Sequence, residues 1–128
     1  MNLLIDTHLI LWAASMPGQL PRAARTLMGD VLNTLSFSAA SIWEVAIKAG
    51  LEREDFKVDP RIIRRGLHEN GWRELVITSK HAAAVGGLPA IHKDPFDRIL
   101  VAQMQEESMT LVTSDSVLTG YPGAIRCV

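Results

Sequence analysis

The 128-residue chain is 48% hydrophobic and 21% charged, with a formal net charge of −1 at pH 7, a balance that excludes disordered and fibrous classes. A nearly neutral chain meets a polyanion only through locally placed cations or a bound metal ion. The single cysteine, Cys127, forms no internal disulfide and matches no zinc-ligand spacing with the four histidines, which points to a reducing, cytoplasmic setting.

Leu3-Leu4-Ile5 is a short apolar run of the kind found in strands buried on both faces. It stops abruptly at Asp6. Ligands in open α/β sheets bind just outside the carboxyl ends of the strands, so Asp6 stands at a prospective site, although capping the next helix would also explain it. Leu9 to Ala14 reads as a helix stopped by Met16-Pro17-Gly18. Pro21 opens a second helix extending to about Leu32, with Ala24, Leu27, Met28 and Val31 at helical spacing. Residues 8–21 carry no formal charge if His8 is neutral, but they are too short and too broken by proline and glycine for a bilayer span or a secretory signal. No membrane association is expected.

Leu35 to Phe37 gives a second strand. Ser38 or Ser41 can cap the helix that follows, whose apolar face is Ala39, Ile42, Trp43, Ala46 and Ile47 and which ends at Gly50. Glu44 is the one acid inside that segment. It completes an S-x-x-E capping box if the helix begins at Ser41, and lies nearly two turns in if it begins at Ser38. Residues 51–58 are charge-rich and read as a loop, after which Asp59-Pro60 starts a helix carrying Arg61, Arg64 and Arg65 as far as Asn70-Gly71. Leu75 to Ile77 reads as a third strand, with Thr78 capping a helix over 80–85.

His92-Lys93-Asp94-Pro95-Phe96-Asp97-Arg98 is the densest polar cluster. Asp94 before Pro95 is an N-cap signature, which puts Asp97 at the third helical position, where it complements the macrodipole. Ile99, Leu100, Val101 and Met104 form the buried face of a helix reaching about Glu107. Thr110 to Thr113 is a β-prone run ending in Ser114-Asp115, repeating the pattern of Leu3 to Asp6, with Asp115 also able to cap a short helix over 116–119. Residues 124–128 supply a last short strand. Alternation of strand and helix signals predicts βα units around a parallel sheet.

Taken together, Asp6, Glu44, Asp97 and Asp115 fall at strand ends or helix beginnings that share one edge of such a sheet. Clustered carboxylates raise one another's pKa unless a cation neutralises them. An all-oxygen donor set favours Mg²⁺, with Mn²⁺ as substitute, over zinc.

Four segments, residues 3–8, 38–48, 92–98 and 110–115, occur in an order and at separations that resemble the PIN-domain endoribonucleases of the VapC toxin type. The resemblance covers almost the whole chain and implies one three-layer α/β/α domain, residues 1–128, with a central parallel sheet. It implies an acidic core of Asp6, Glu44 and Asp97, with Asp115 as a more variable fourth member. One or two Mg²⁺ ions held there would activate a water for in-line attack on RNA, leaving 5′-phosphate and 3′-hydroxyl ends. It also implies a small cognate antitoxin covering the site and a homodimer, with Trp12 and Leu20 as possible contacts.

Around that core, Lys48, Arg98 and the Arg61/Arg64/Arg65 group are candidate phosphate contacts, while Thr7 and Thr113 are candidates for orienting water. His8 and His92 border the cluster but form no i, i+4 histidine pair, which argues against zinc. Trp12 and Trp43 read as core or interface residues rather than base-stacking platforms. Two alternatives remain: a non-catalytic binding or regulatory module in which the carboxylates only cap helices, and a haloacid-dehalogenase-like phosphatase using Asp6. The second requires another aspartate two positions on, where His8 stands.

Overall fold

A computed structural model describes residues 1–50 and 58–128. Apart from Val58, the loop expected at 51–58 lies outside the described residues. The elements are β1 (Asn2–Ile5), α1 (Thr7–Ser15), α2 (Arg22–Gly29), β2 (Thr34–Ser38), α3 (Ala39–Gly50), α4 (Pro60–Glu69), β3 (Arg73–Leu75), α5 (Ser79–Val85), α6 (Pro95–Glu106), β4 (Thr110–Thr113) and β5 (Ile125–Cys127). The strands form one sheet in the order β3-β2-β1-β4-β5, and every neighbouring pair runs parallel.

Two apolar cores make this a three-layer molecule. Leu3 and Ile5 of β1 join Phe37, Val112, Leu9, Ile10, Val45, Ile63 and Leu67 on one face. Leu4, between them in sequence, faces the other way and packs with Leu111, Leu100, Val101, Met104 and Tyr121. Side chains of a strand alternate between faces, so a central strand covered on both sides must be apolar at successive positions. Full burial of Leu3, Leu4 and Ile5 contributes roughly 1.5–3 kcal/mol for each.

Two expected boundaries move. The second helix ends at Gly29 rather than near Leu32, because the Asp30 carboxylate accepts from the Leu32 N–H at 2.9 Å and the Asn33 side-chain amide donates to the Leu27 carbonyl at 2.9 Å. Val31, expected on its buried face, is 95% exposed. The third strand is Arg73–Leu75 instead of Leu75 to Ile77. Its register against Ser36–Ser38 leaves Val76 and Ile77 beyond the sheet and exposed, and its position at the edge lets Arg73 and Glu74 reach solvent.

The strand order reverses at β1, whose next strand in sequence lies on one side and β4 on the other. A crevice opens outside the carboxyl ends of the strands at such a switch point. The chain delivers Asp6 there from β1 and Ser114-Asp115 from β4.

Candidate metal centre

Asp6 caps α1 and stands at the switch point of the sheet. Its N–H continues the ladder by donating to the Val112 carbonyl at 3.0 Å, and its Oδ1 accepts from the Leu9 N–H at 3.0 Å to start α1. Oδ2 accepts from the Thr113 hydroxyl and from the Ser114 N–H at 3.2 Å. Only 3% of Asp6 is exposed. Burial pushes its carboxyl above the ordinary value of 3.8, and the bonds from Thr113, Leu9 and Ser114 only partly oppose that rise.

For Glu44 the cap explanation fails. The helix begins at Ala39, because the Ser38 hydroxyl accepts the Ala40 N–H at 3.0 Å, and Glu44 therefore lies in the second turn. It is 3% exposed. Lys48 Nζ pairs with Oε2 at 2.7 Å, whereas Oε1 is buried without a hydrogen-bond partner among the described residues. A buried carboxylate oxygen left unpaired is costly, and a cation beside it removes that cost.

Asp94 caps α6, its Oδ1 accepting from the Phe96 N–H at 2.8 Å, and this places Asp97 in the first turn. Burial, then the neighbouring Asp94, push the Asp97 carboxyl up to about 6, with Glu44 and Asp6 adding to the rise and His92 opposing it. The carboxylates of Glu44 and Asp6 thus lie near enough to act on Asp97, although among the described residues the group whose ligand atoms are already in mutual reach does not include them. Asp115 Oδ1 accepts from the Val117 N–H at 3.0 Å, while Oδ2 faces His92 Nε2 at 3.0 Å. His92 Nε2 lies 3.4 Å from Asp97 Oδ2, and one ligand atom from each of His92, Asp97 and Asp115 falls within 4.8 Å of the others.

The donor set fits a divalent cation: oxygens from separate elements at the carboxyl edge of the sheet, one of them without a hydrogen-bond partner among the described residues, where Lys48 pairs with Glu44 and His8 and His92 only partly offset the rise of Asp6 and Asp97. The PIN domain family model matches residues 3–123. The chain belongs to the PIN domain family. PIN domains are generally nucleases. The fold is similar to VapBC2 from Rickettsia felis bound to a DNA fragment from their promoter, with a TM-score of 0.74, 14% identity and coverage of 100% of this chain and 99% of that one. VapBC-1 from nontypeable Haemophilus influenzae gives a TM-score of 0.67, 15% identity and coverage of 99% and 98%. FitAcB from Neisseria gonorrhoeae gives 0.68, 17% identity and coverage of 96% and 95%. Among curated proteins, none matches this sequence.

The remaining candidates divide clearly in this PIN domain. The Thr7 hydroxyl donates to Ser41 at 2.9 Å, tying α1 to α3. Thr113 bridges two carboxylate-bearing residues, donating to Asp6 while accepting the Asp115 N–H at 3.0 Å. Both threonines are buried and orient protein groups. Thr113→Val is expected to lower stability by about 1–3 kcal/mol, since it leaves buried groups unpaired. An unchanged thermal midpoint would show that the hydroxyl does not hold the site.

Arg98, a candidate phosphate contact, makes its hydrogen bonds within the protein. Its guanidinium donates to the carbonyls of Pro89 at 3.0 Å, Val85 at 3.1 Å and His92 at 3.4 Å, and to the Tyr121 hydroxyl at 3.2 Å. These bonds fasten the segment between α5 and α6 and leave the fork little to offer a ligand. Lysine cannot reproduce such a fork, so Arg98→Lys is expected to cost about 1–3 kcal/mol in urea denaturation. An unchanged midpoint with weakened RNA binding would restore the phosphate-contact reading.

Trp43, expected in the core or at an interface, is 60% exposed and meets Phe96 edge to face at 5.2 Å; it is not core. Trp12 and Leu20 are partly buried against the first core. Arg61, Arg64 and Arg65 are exposed along α4, with Arg64 Nε 3.6 Å from Glu74. His92, weighed from the sequence only against zinc ligation, lies in the structure between Asp97 and Asp115. The available signal was its spacing, two residues before the capping Asp94 and five before Asp97.

Proposed function

We propose that this PIN domain is an Mg²⁺-dependent endoribonuclease, Mn²⁺ serving as substitute, and the toxin of a VapC-type toxin–antitoxin pair. The observation that carries the reading is the buried Oε1 of Glu44, without a hydrogen-bond partner among the described residues, together with two carboxylates, Asp6 and Asp97, whose pKa values are raised. Such a set is poised for a cation rather than for structural capping alone. The proposed ligands are Asp6, Glu44, Asp97 and Asp115. When bound, the cation supplies Lewis acidity that activates a water and offsets charge on the scissile phosphate.

The chain's own residues do the rest. Thr113 and the Ser114 N–H fix the Asp6 carboxylate, Lys48 fixes one oxygen of Glu44, and the Asp94 cap sets the first turn that carries Asp97. Arg61, Arg64 and Arg65 remain candidate contacts to the RNA backbone, since phosphate recognition needs exposed cations. The VapBC and FitAB neighbours support a small antitoxin as partner, and a cytoplasmic homodimer of residues 1–128 completes the reading. No helix among the described residues is long and apolar enough to cross a membrane. Family membership leaves the phosphatase alternative without support.

The test is incubation of purified protein with total RNA in Mg²⁺ or EDTA, wild type against Asp6→Asn. Expected is Mg²⁺-dependent scission leaving 5′-phosphate ends and absent in the variant. Equal scission by both proteins would mark contamination and leave the binding module as the better account.

A further inference from the structure

We propose that His92 is a positioning residue that holds Asp115 beside Asp97 through its Nε2–H and does not itself ligate the cation. This rests on the metal-dependent reading above and assigns a role within that site. The three ligand-type atoms of His92, Asp97 and Asp115, mutually within 4.8 Å, are equally what a site with a ligating imidazole would present. Hydrogen placement separates the two cases.

The Asp94 backbone N–H approaches His92 Nδ1 at 3.0 Å. A backbone N–H only donates, so Nδ1 must carry the lone pair, and the neutral ring then bears its proton on Nε2. Nε2 pairs with Asp115 Oδ2 at 3.0 Å, as a donor should, and lies 3.4 Å from Asp97 Oδ2, so the bond to Asp115 is made alongside Asp97. To ligate a metal through Nε2 the ring would have to become imidazolate or surrender its bond from Asp94. The second route is resisted by the surroundings. The carbonyl of Asp94 accepts the Arg98 N–H at 3.0 Å and its carboxylate caps Phe96, so the start of α6 holds the residue whose N–H meets the ring.

The ring is equally fixed from its own backbone. The His92 N–H donates to the Tyr121 hydroxyl at 2.8 Å, and its carbonyl accepts from Arg98 at 3.4 Å. Tyr121 is buried and receives the same guanidinium at 3.2 Å. Arg98 and Tyr121 therefore act on the site through His92. Asp115 has its other oxygen committed to Val117, which leaves Oδ2 as the atom that His92 turns toward Asp97. Hydrogen bonds to ligating groups of this kind set orientation and basicity, and their loss typically weakens metal binding by about 10–100-fold.

The experiment uses Mn²⁺ as probe on the full-length protein, with affinity from titration followed by electron paramagnetic resonance, and electron spin-echo modulation to detect directly bound nitrogen. Expected are wild-type binding with no coordinated-imidazole coupling assignable to His92, binding about 10–100-fold weaker in His92→Ala, and recovery of most of that loss in His92→Gln, whose amide N–H replaces the donor. A nitrogen coupling in the wild type that vanishes in His92→Gln overturns the proposal while leaving the metal-dependent reading intact. Mn²⁺ affinity unchanged in a folded His92→Ala also overturns it. Absence of any Mn²⁺ binding to the wild type sinks the metal-dependent reading and this role with it. The spin-echo measurement on wild type needs no variant to fold.

Discussion

Asp97→Asn is expected to remove RNA scission and, in the same protein, to raise the thermal midpoint measured without metal. Replacing a proposed ligand should cost more than the approximately 100-fold that marks the upper end for losing a group that merely supports one. Stability moves the other way because the carboxylate is buried among other acids and held up to about 6. Asparagine removes the charge that the fold resists. A shift of that size on a side chain 22% exposed corresponds to about 1–3 kcal/mol at neutral pH, or a midpoint several degrees higher. Paired assays of scission and calorimetric midpoint check both signs. Retained scission, or a midpoint lowered by several degrees, would show that Asp97 is a helix-terminal acid and nothing more.

Metal and pH should act on stability in linked and opposite ways. For a carboxyl raised from 3.8 in the unfolded chain to about 6 in the fold, the native state binds more protons between those values. Stability of the metal-free protein therefore falls as pH rises from about 4 to about 6, and the loss is complete above that window. Burial raises Asp6 in the same direction. A divalent cation favours the ionised forms, so it should stabilise strongly at pH 7.5 and little at pH 4.5. At ten times its dissociation constant, a ligand specific for the fold adds about 1.4 kcal/mol. Urea midpoints at the two pH values, with Mg²⁺ or EDTA, measure the effect. A Mg²⁺ increment equal at both would mean that the cation is not held by these carboxylates.

Most of the architecture is legible in residue order because it depends on local chemistry. An unbroken Leu3-Leu4-Ile5 demands cover on two faces, and Asp59-Pro60 and Asp94-Pro95 start helices where they fall. The ends of α2 and β3 are less legible. Val31, Leu32, Val76 and Ile77 look like core by composition, yet all four are exposed, and apolarity alone does not reveal which face a residue reaches. Glu44 is ambiguous in the sequence because Ser38 and Ser41 are equally good caps by type, and only the fold selects Ser38. The roles of Arg98 and His92 depend on partners as distant as Tyr121 and Asp115. Such pairings are set by how layers stack, and no spacing rule encodes them.

The bond between Thr113 and Asp6 spans 107 positions of the chain, and β4, the strand that carries Thr113, is the fourth of five in sequence yet pairs directly with the first. A polypeptide emerging from the ribosome holds Asp6 from the start but lacks the groups that fasten it until translation is nearly finished. The pocket around Asp6 therefore stays incomplete throughout most of synthesis.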